Sequence, residues 1–292
     1  MIAGHPSHRE IRAGFPSEIT DSIIDHLQSD TATLGACSFV CSEWLVRSRH
    51  HMFCRIQLWP WRVHRFFELA HETLCTFTNH VRRIEMDDLR TKVKEGEVLE
   101  TGSEAVARGM MFEMMLLPHP PCFAGVQSIR ISNVDWTFFS MNEQSTVRNN
   151  LSRFIRLDRL ELQGVVFHDL REVVRIVNVL TALQHLTANI SFKKYLEHTI
   201  PLATTLRLTS NLRSLETGTE DGIAAMLGCI TASDDAEKIQ VLKLHNIKPG
   251  HLPYMKSLLK KSRRNFQRVD LDFANDKTPI MNQGASSSVL LP

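Results

Sequence analysis

The chain has 292 residues, 43% apolar and 23% charged, which excludes wholesale disorder, since disorder needs low hydrophobicity and high net charge. Thirty-four basic against 32 acidic residues leave a formal charge of +2, so no one-sign field points to a polyanionic partner. Six cysteines without a C-x-x-C pair exclude a disulfide scaffold, and 13 glycines with 11 prolines exclude a collagenous or low-complexity chain.

At roughly 150 residues per domain the length fits about two domains. Residues 1–14 read as a disordered N-terminus, with His, Arg, Pro and Glu where a signal peptide would need an apolar run. No window reaches 18 apolar residues, so no membrane span is expected, and the chain reads as cytoplasmic or nuclear. Phe15-Pro16-Ser17-Glu18 opens a first helix, with Pro in the first turn and Glu18 at the positive end of the dipole. Ile19, Ile23, Ile24 and Leu27 then fall on one helical face. Gln28-Ser29-Asp30 breaks the pattern, and Asp30 or Thr33 caps a second helix carrying Leu34, Cys37, Val40, Cys41 and Trp44. A third short segment holds Met52, Phe53 and Ile56. A unit of this size buries little surface alone, so it needs a partner or an adjoining domain.

Residues 59–78 read as a linking amphipathic helix with Trp61, Phe66, Phe67, Leu69 and Leu74. Beyond it a template, apolar-x-x-apolar-x-apolar, recurs seven times. Its central positions are Ile84, Ile129, Leu160, Leu186, Leu215, Leu242 and Val269, separated by 45, 31, 26, 29, 27 and 27 residues. Thr217 is the one polar residue in its 21 apolar slots. The spacing approaches the leucine-rich range of about 20–29 residues. Helical stretches lie between templates, at 169–180, 195–208, 222–230 and 249–261. The expectation is an α/β strand–helix solenoid over 79–274, in which neighbouring units bury each other's apolar faces. Lys92 to Gly102 reads as an inserted loop, and 275–292 as a disordered tail.

The set Phe15-Pro16-x-Glu18-Ile19, Ile23-Ile24-Asp25-His26-Leu27, Leu34, Cys37, Val40-Cys41-x-x-Trp44 and Phe53-x-x-Ile56 resembles an F-box over 15–58. Phe15 stands where that family usually has Leu. A following run of degenerate leucine-rich-like repeats is a common arrangement in the family, and the whole is similar to the F-box set of mushroom-forming fungi. The ninth template position, usually Asn or Cys, is Val134, Val165 or Ile247. The resemblance implies a small three-helix domain that docks a Skp-type adaptor and through it a cullin–RING complex. The repeat domain would then hold a protein substrate for ubiquitination, and the chain itself would do no chemistry. The adaptor-facing set it implies is Phe15, Pro16, Ile19, Ile23, Ile24, Leu27, Leu34, Val40, Cys41 and Trp44. An apolar helical face on a unit too small to bury it is a docking surface on general grounds, with Trp44 as its anchor. The alternative is that Trp44, Val40 and Leu34 only hold the helices together.

Side chains alternate along a strand, so residues between the apolar slots line the opposite, concave face. That face takes Arg83, Glu85, Asp87, Arg130, Arg159, Glu161, His185, Lys243, His245, Arg268, Asp270 and Asp272. Its mixed signs suit a protein partner better than a nucleic acid; an ordinary solvated sheet face is the plainer reading. A scaffold that uses the repeat surface without a ligase is the alternative function. Cys37, Cys41, His50, His51 and Cys54 lack the tight ligand pairs of a zinc site. His71-Glu72-x-x-Cys75 lacks the second His of H-E-x-x-H, and no phosphate-binding or nucleophile-elbow motif occurs. No catalytic residue, metal or cofactor is therefore expected. Lys260-Lys261-Ser262-Arg263-Arg264 reads as a basic last helical turn, or as a nuclear localisation or phosphate-binding patch.

Overall fold

A computed structural model describes residues 16–58, 63–72, 75–87, 123–193, 208, 211–262, 264–274 and 288–290. The chain divides into two compact units, Met1–Cys54 and Arg55–Pro292.

The first unit has three helices: α1 (Ser17–His26), α2 (Thr31–Cys37) and α3 (Ser42–Cys54). Asp30 caps α2 by accepting from the Thr33 amide at 3.0 Å. The second helix ends at Cys37, short of the expected Val40, Cys41 and Trp44. Amides of Phe39 and Val40 bond the Ala36 and Cys37 carbonyls and close a turn there, so Trp44 rides on α3. Ile24, Leu34 and Cys37 are buried. Asp25 on α1 takes a two-pronged bond from Arg47 on α3, at 2.6 and 2.5 Å, and a third contact from His51 Nε2 at 2.7 Å.

The second unit begins at Arg55, inside the expected 15–58 segment and ahead of the repeat domain expected from residue 79. Arg55–Leu58 is a strand, β1, because Phe53-x-x-Ile56-x-Leu58 is an eighth copy of the repeat template, 28 residues before Ile84. The first compact unit therefore ends at Cys54, four residues short of residue 58. The remaining strands are β2 (Arg83–Asp87), β3 (Ser128–Ser132), β4 (Arg159–Phe167), β5 (His185–Phe192), β6 (Ser214–Thr217), β7 (Val241–Ile247), β8 (Arg268–Phe273) and β9 (Ser288–Leu290). They stand in chain order, the first eight parallel and β9 antiparallel against β8. Part of the expected disordered tail is thus strand: the unpaired outer edge of β8 offers free amides and carbonyls to any extended segment.

The helices are α4 (Val63–His71), α5 (Met141–Leu151), α6 (Leu170–Val179), α7 (Glu220–Ala232) and α8 (Leu252–Ser262). The linking helix is shorter than 59–78, ending at His71 before a 3₁₀ turn at Thr78–His80. The expected helix at 195–208 and the insert at 92–102 lie outside the described residues, as do 1–14. Helix α5 is absent from the sequence-based expectation, although Ser140-x-x-Glu143 marks it. The Ser140 amide donates to Glu143 Oε2 at 2.6 Å and the Glu143 amide to Ser140 Oγ at 3.4 Å, a capping box. Asp169 caps α6 through the amides of Arg171 and Glu172.

The template centres form one rung across the sheet: Ile56, Ile84, Ile129, Leu160, Leu186, Leu215, Leu242 and Val269. Two residues on, Leu58, Met86, Ile131, Leu162, Ala188, Thr217, Leu244 and Leu271 form a second. Both rungs enter one continuous core with the inner sides of the helices. Thr217 is fully buried yet satisfied, its hydroxyl donating to the Ala188 carbonyl at 2.7 Å. The small residues there let α7 approach: a Cβ on Gly222 would meet Thr217 Oγ1 at 2.8 Å and the Ala188 carbonyl at 2.9 Å. Before each of β2 to β7 one carbonyl takes two amides of the next repeat. The Arg82, Gln127, Asp158, Gln184, Arg213 and Gln240 carbonyls form this series. Four residues past the template centre, Asn133, Gly164 and Asn246 take φ values of 58°, 63° and 63°. The next residues, Val134, Val165 and Ile247, turn back into the core, which is why apolar groups occupy the ninth position.

Candidate functional site

Two surfaces gather the residues that sequence reasoning singled out. On the first unit the ten expected docking residues separate by burial. Ile24 and Leu34 are core, Leu27 and Trp44 half-buried, and Pro16, Ile19, Ile23, Val40 and Cys41 exposed. Phe15 lies outside the described residues. Ile19 and Ile23 are one helical turn apart on α1, so they share a strip. Sequence reasoning missed Phe39 and Val46, which are 90% and 63% exposed. Phe39 stands in the turn after α2, and the residue pair Phe39-Val40 next to a helix end was the available signal. The frame behind these residues is the Asp25 cluster. Arg47 first, and then His51, hold the Asp25 carboxyl well below the usual carboxylate range.

The second surface is the sheet face opposite the helices. The register aligns Gln57, Glu85, Arg130, Glu161, Thr187, Glu216, Lys243 and Asp270 in one polar rung. The rung before it holds Arg55, Arg83, Ser128, Arg159, His185, Ser214, Val241 and Arg268. Glu85 Oε1 is approached by Arg55 at 2.8 Å and by Arg83 at 2.7 Å, both close ion contacts rather than hydrogen bonds. Arg83 also donates to Glu161 at 3.1 Å, reaching over β3, where the small Ser128 lies opposite it. Arg130 stands 4.0 Å from the same carboxylate. Further along, Lys243 bonds Glu216 at 3.2 Å with His245 3.9 Å away, and Arg268 pairs with Asp270 at 2.8 Å.

Eight of the twelve expected residues are thus drawn into ion pairs on this face, with Arg55 and Glu216 as members that sequence reasoning missed. Arg55 was hidden because its strand was assigned to the helical unit. Asp87 is engaged elsewhere, accepting from Asn133 Nδ2 at 2.7 Å. Asp272 is exposed near the end of β8. Arg159 and His185 stand at the starts of β4 and β5. Burial first, then the charges of Arg159 and Arg213, push His185 below its ordinary value, while Asp158 opposes them. The more open pairs, Lys243–Glu216 and Arg268–Asp270, contribute about 0–1 kcal/mol each.

The basic segment resolves in part. Lys260 and Lys261 close α8, and Lys261 Nζ reaches the Thr231 and Ser233 carbonyls at the end of α7. This cation serves the C-terminal carbonyls of the neighbouring helix. Cys37 and Cys41 do not share a helix face, since Cys37 ends α2 and Cys41 precedes α3. The buried Cys229 thiol is pushed up to about 12 by desolvation. Comparison of the chain with protein-family models and with curated proteins yields no match.

Proposed function

We propose that the chain is a substrate-recognition subunit of a cullin–RING ubiquitin ligase. In this reading the first unit is an F-box that docks a Skp-type adaptor, and the second is a leucine-rich-repeat-like solenoid whose polar sheet face holds a protein substrate. The observation that carries it is the segregation of apolar residues on the first unit. Ile24, Leu34 and Cys37 supply a core, yet Ile19, Ile23, Phe39, Val40 and Val46 remain on the surface. Apolar side chains outside a core already filled favour a partner that covers them.

The test is co-purification of the tagged chain with a Skp-type adaptor. Ile23→Asp together with Val40→Asp should abolish capture and leave the circular dichroism melt unchanged, because both positions are exposed. Failure of the wild-type chain to capture the adaptor would overturn the reading. A second reading, a scaffold acting without a ligase, is favoured by one observation. The charges of the sheet face are largely paired with one another, which suits a rigid wall as well as a receptor.

A further inference from the structure

A cavity of about 820 Å³ opens at the N-terminal ends of β5 to β8, off the polar sheet face. Three of its lining residues, Gln184, Gln240 and Gln267, immediately precede β5, β7 and β8, and Arg213 holds the same place before β6. The main-chain carbonyls of Gln184, Arg213 and Gln240 are already bound by the amides of the next repeat. Adjacent strands put these side chains about 4.8 Å apart, one to a repeat. Two further lining residues are tied to each other, Asn265 Nδ2 donating to the Glu237 carbonyl at 2.5 Å. Among the described lining residues, Arg213 and Arg264 bring exposed cations to the cavity, Lys238 is already engaged, and Glu237 is the carboxylate.

We propose that this cavity binds an acidic polypeptide segment. The cations select carboxylates, while the row of glutamine amides can donate to peptide carbonyls and accept from peptide N–H groups, as a bare anion would not require. The volume exceeds what a single phosphate fills. The aromatic side chain present, Phe266, is 9% exposed and forms part of the floor, so no stacking platform is offered to nucleic-acid bases. The site lies in the second unit and holds whether or not the first unit docks an adaptor.

The experiment is fluorescence anisotropy of a fluorescein-labelled, end-capped hexaglutamate peptide titrated with the full chain at low salt. Saturable binding is expected, weakened about tenfold or more by Arg213→Glu or Arg264→Glu, both at exposed positions. Lys256→Glu, at an exposed position on α8 outside the cavity lining, should leave it unchanged. If a charge-reversal variant shows an altered melt, Arg213→Gln and Arg264→Gln replace it and should still weaken binding. Three results would overturn the proposal. They are absence of saturable binding, equal loss in Lys256→Glu, and displacement of the peptide by inorganic phosphate or a thymine oligonucleotide at or below the concentration of unlabelled hexaglutamate needed.

Discussion

Asp25 shows how one residue can be invisible in a pattern and central in a fold. In the sequence it is a polar residue within an apolar helical stripe. In the structure it joins two helices through Arg47 and His51. Its carboxyl lies below the ordinary range when folded. Its contribution is therefore complete above about pH 4, where the unfolded carboxyl has ionised, and is lost as pH falls toward the folded value. Asp25→Asn should lower the melting temperature of the first unit at neutral pH and lessen its sensitivity to acid. Circular dichroism melts of both proteins at pH 7 and pH 3 check this; a gap that stays constant between the two pH values would contradict it. The apolar residues of the first unit were legible as a set but not as two classes, buried and exposed. Spacing on a helix says which residues share a face, and only neighbouring helices decide which face is covered.

At the scale of elements, the repeat depends on a turn as much as on its strand. Gly164 sits at φ 63° in the bulge between Gln163 and Val165, and a Cβ there would meet Asn133 Oδ1 at 3.0 Å. Gly164→Ala should cost about 1–2 kcal/mol from the left-handed backbone alone. Asn246→Gly, at the equivalent place in β7, should be close to neutral, because glycine and asparagine both tolerate that conformation. Urea unfolding of the two variants distinguishes them, and equal destabilisation would refute the shared-turn account. Strands β2 to β8 were legible from the template because its two apolar slots occupy the covered face. Strand β1 was hidden by a competing assignment of Phe53 and Ile56 to a helix. Helix α5 was hidden by its weak apolar pattern, even though its capping box was present in the sequence.

Across the whole molecule, the second unit is a one-directional stack in which each repeat borrows core from its neighbours. Position along the stack should therefore set the cost of a cavity. Leu160 is fully buried in the interior of the rung, whereas Leu271 is half-buried in the last parallel strand. Leu160→Ala should cost about 2–5 kcal/mol, and Leu271→Ala distinctly less. Urea midpoints for the two would show the gradient, and equal costs would argue against nearest-neighbour stacking.

The sequence by itself determined the strand–helix alternation, the register of the apolar rungs and the mixed charge of the opposite face. These follow from a two-residue strand period and a repeat length, both of which are local. Tertiary structure decided where the first unit ends and which of its apolar residues stay exposed. It also decided that Arg83 reaches Glu161 across a strand and that glutamines from separate repeats converge on one cavity. Those outcomes depend on which residues meet across distant positions of chain, 22 for Asp25 and Arg47 and 78 for Arg83 and Glu161, and no local period encodes that.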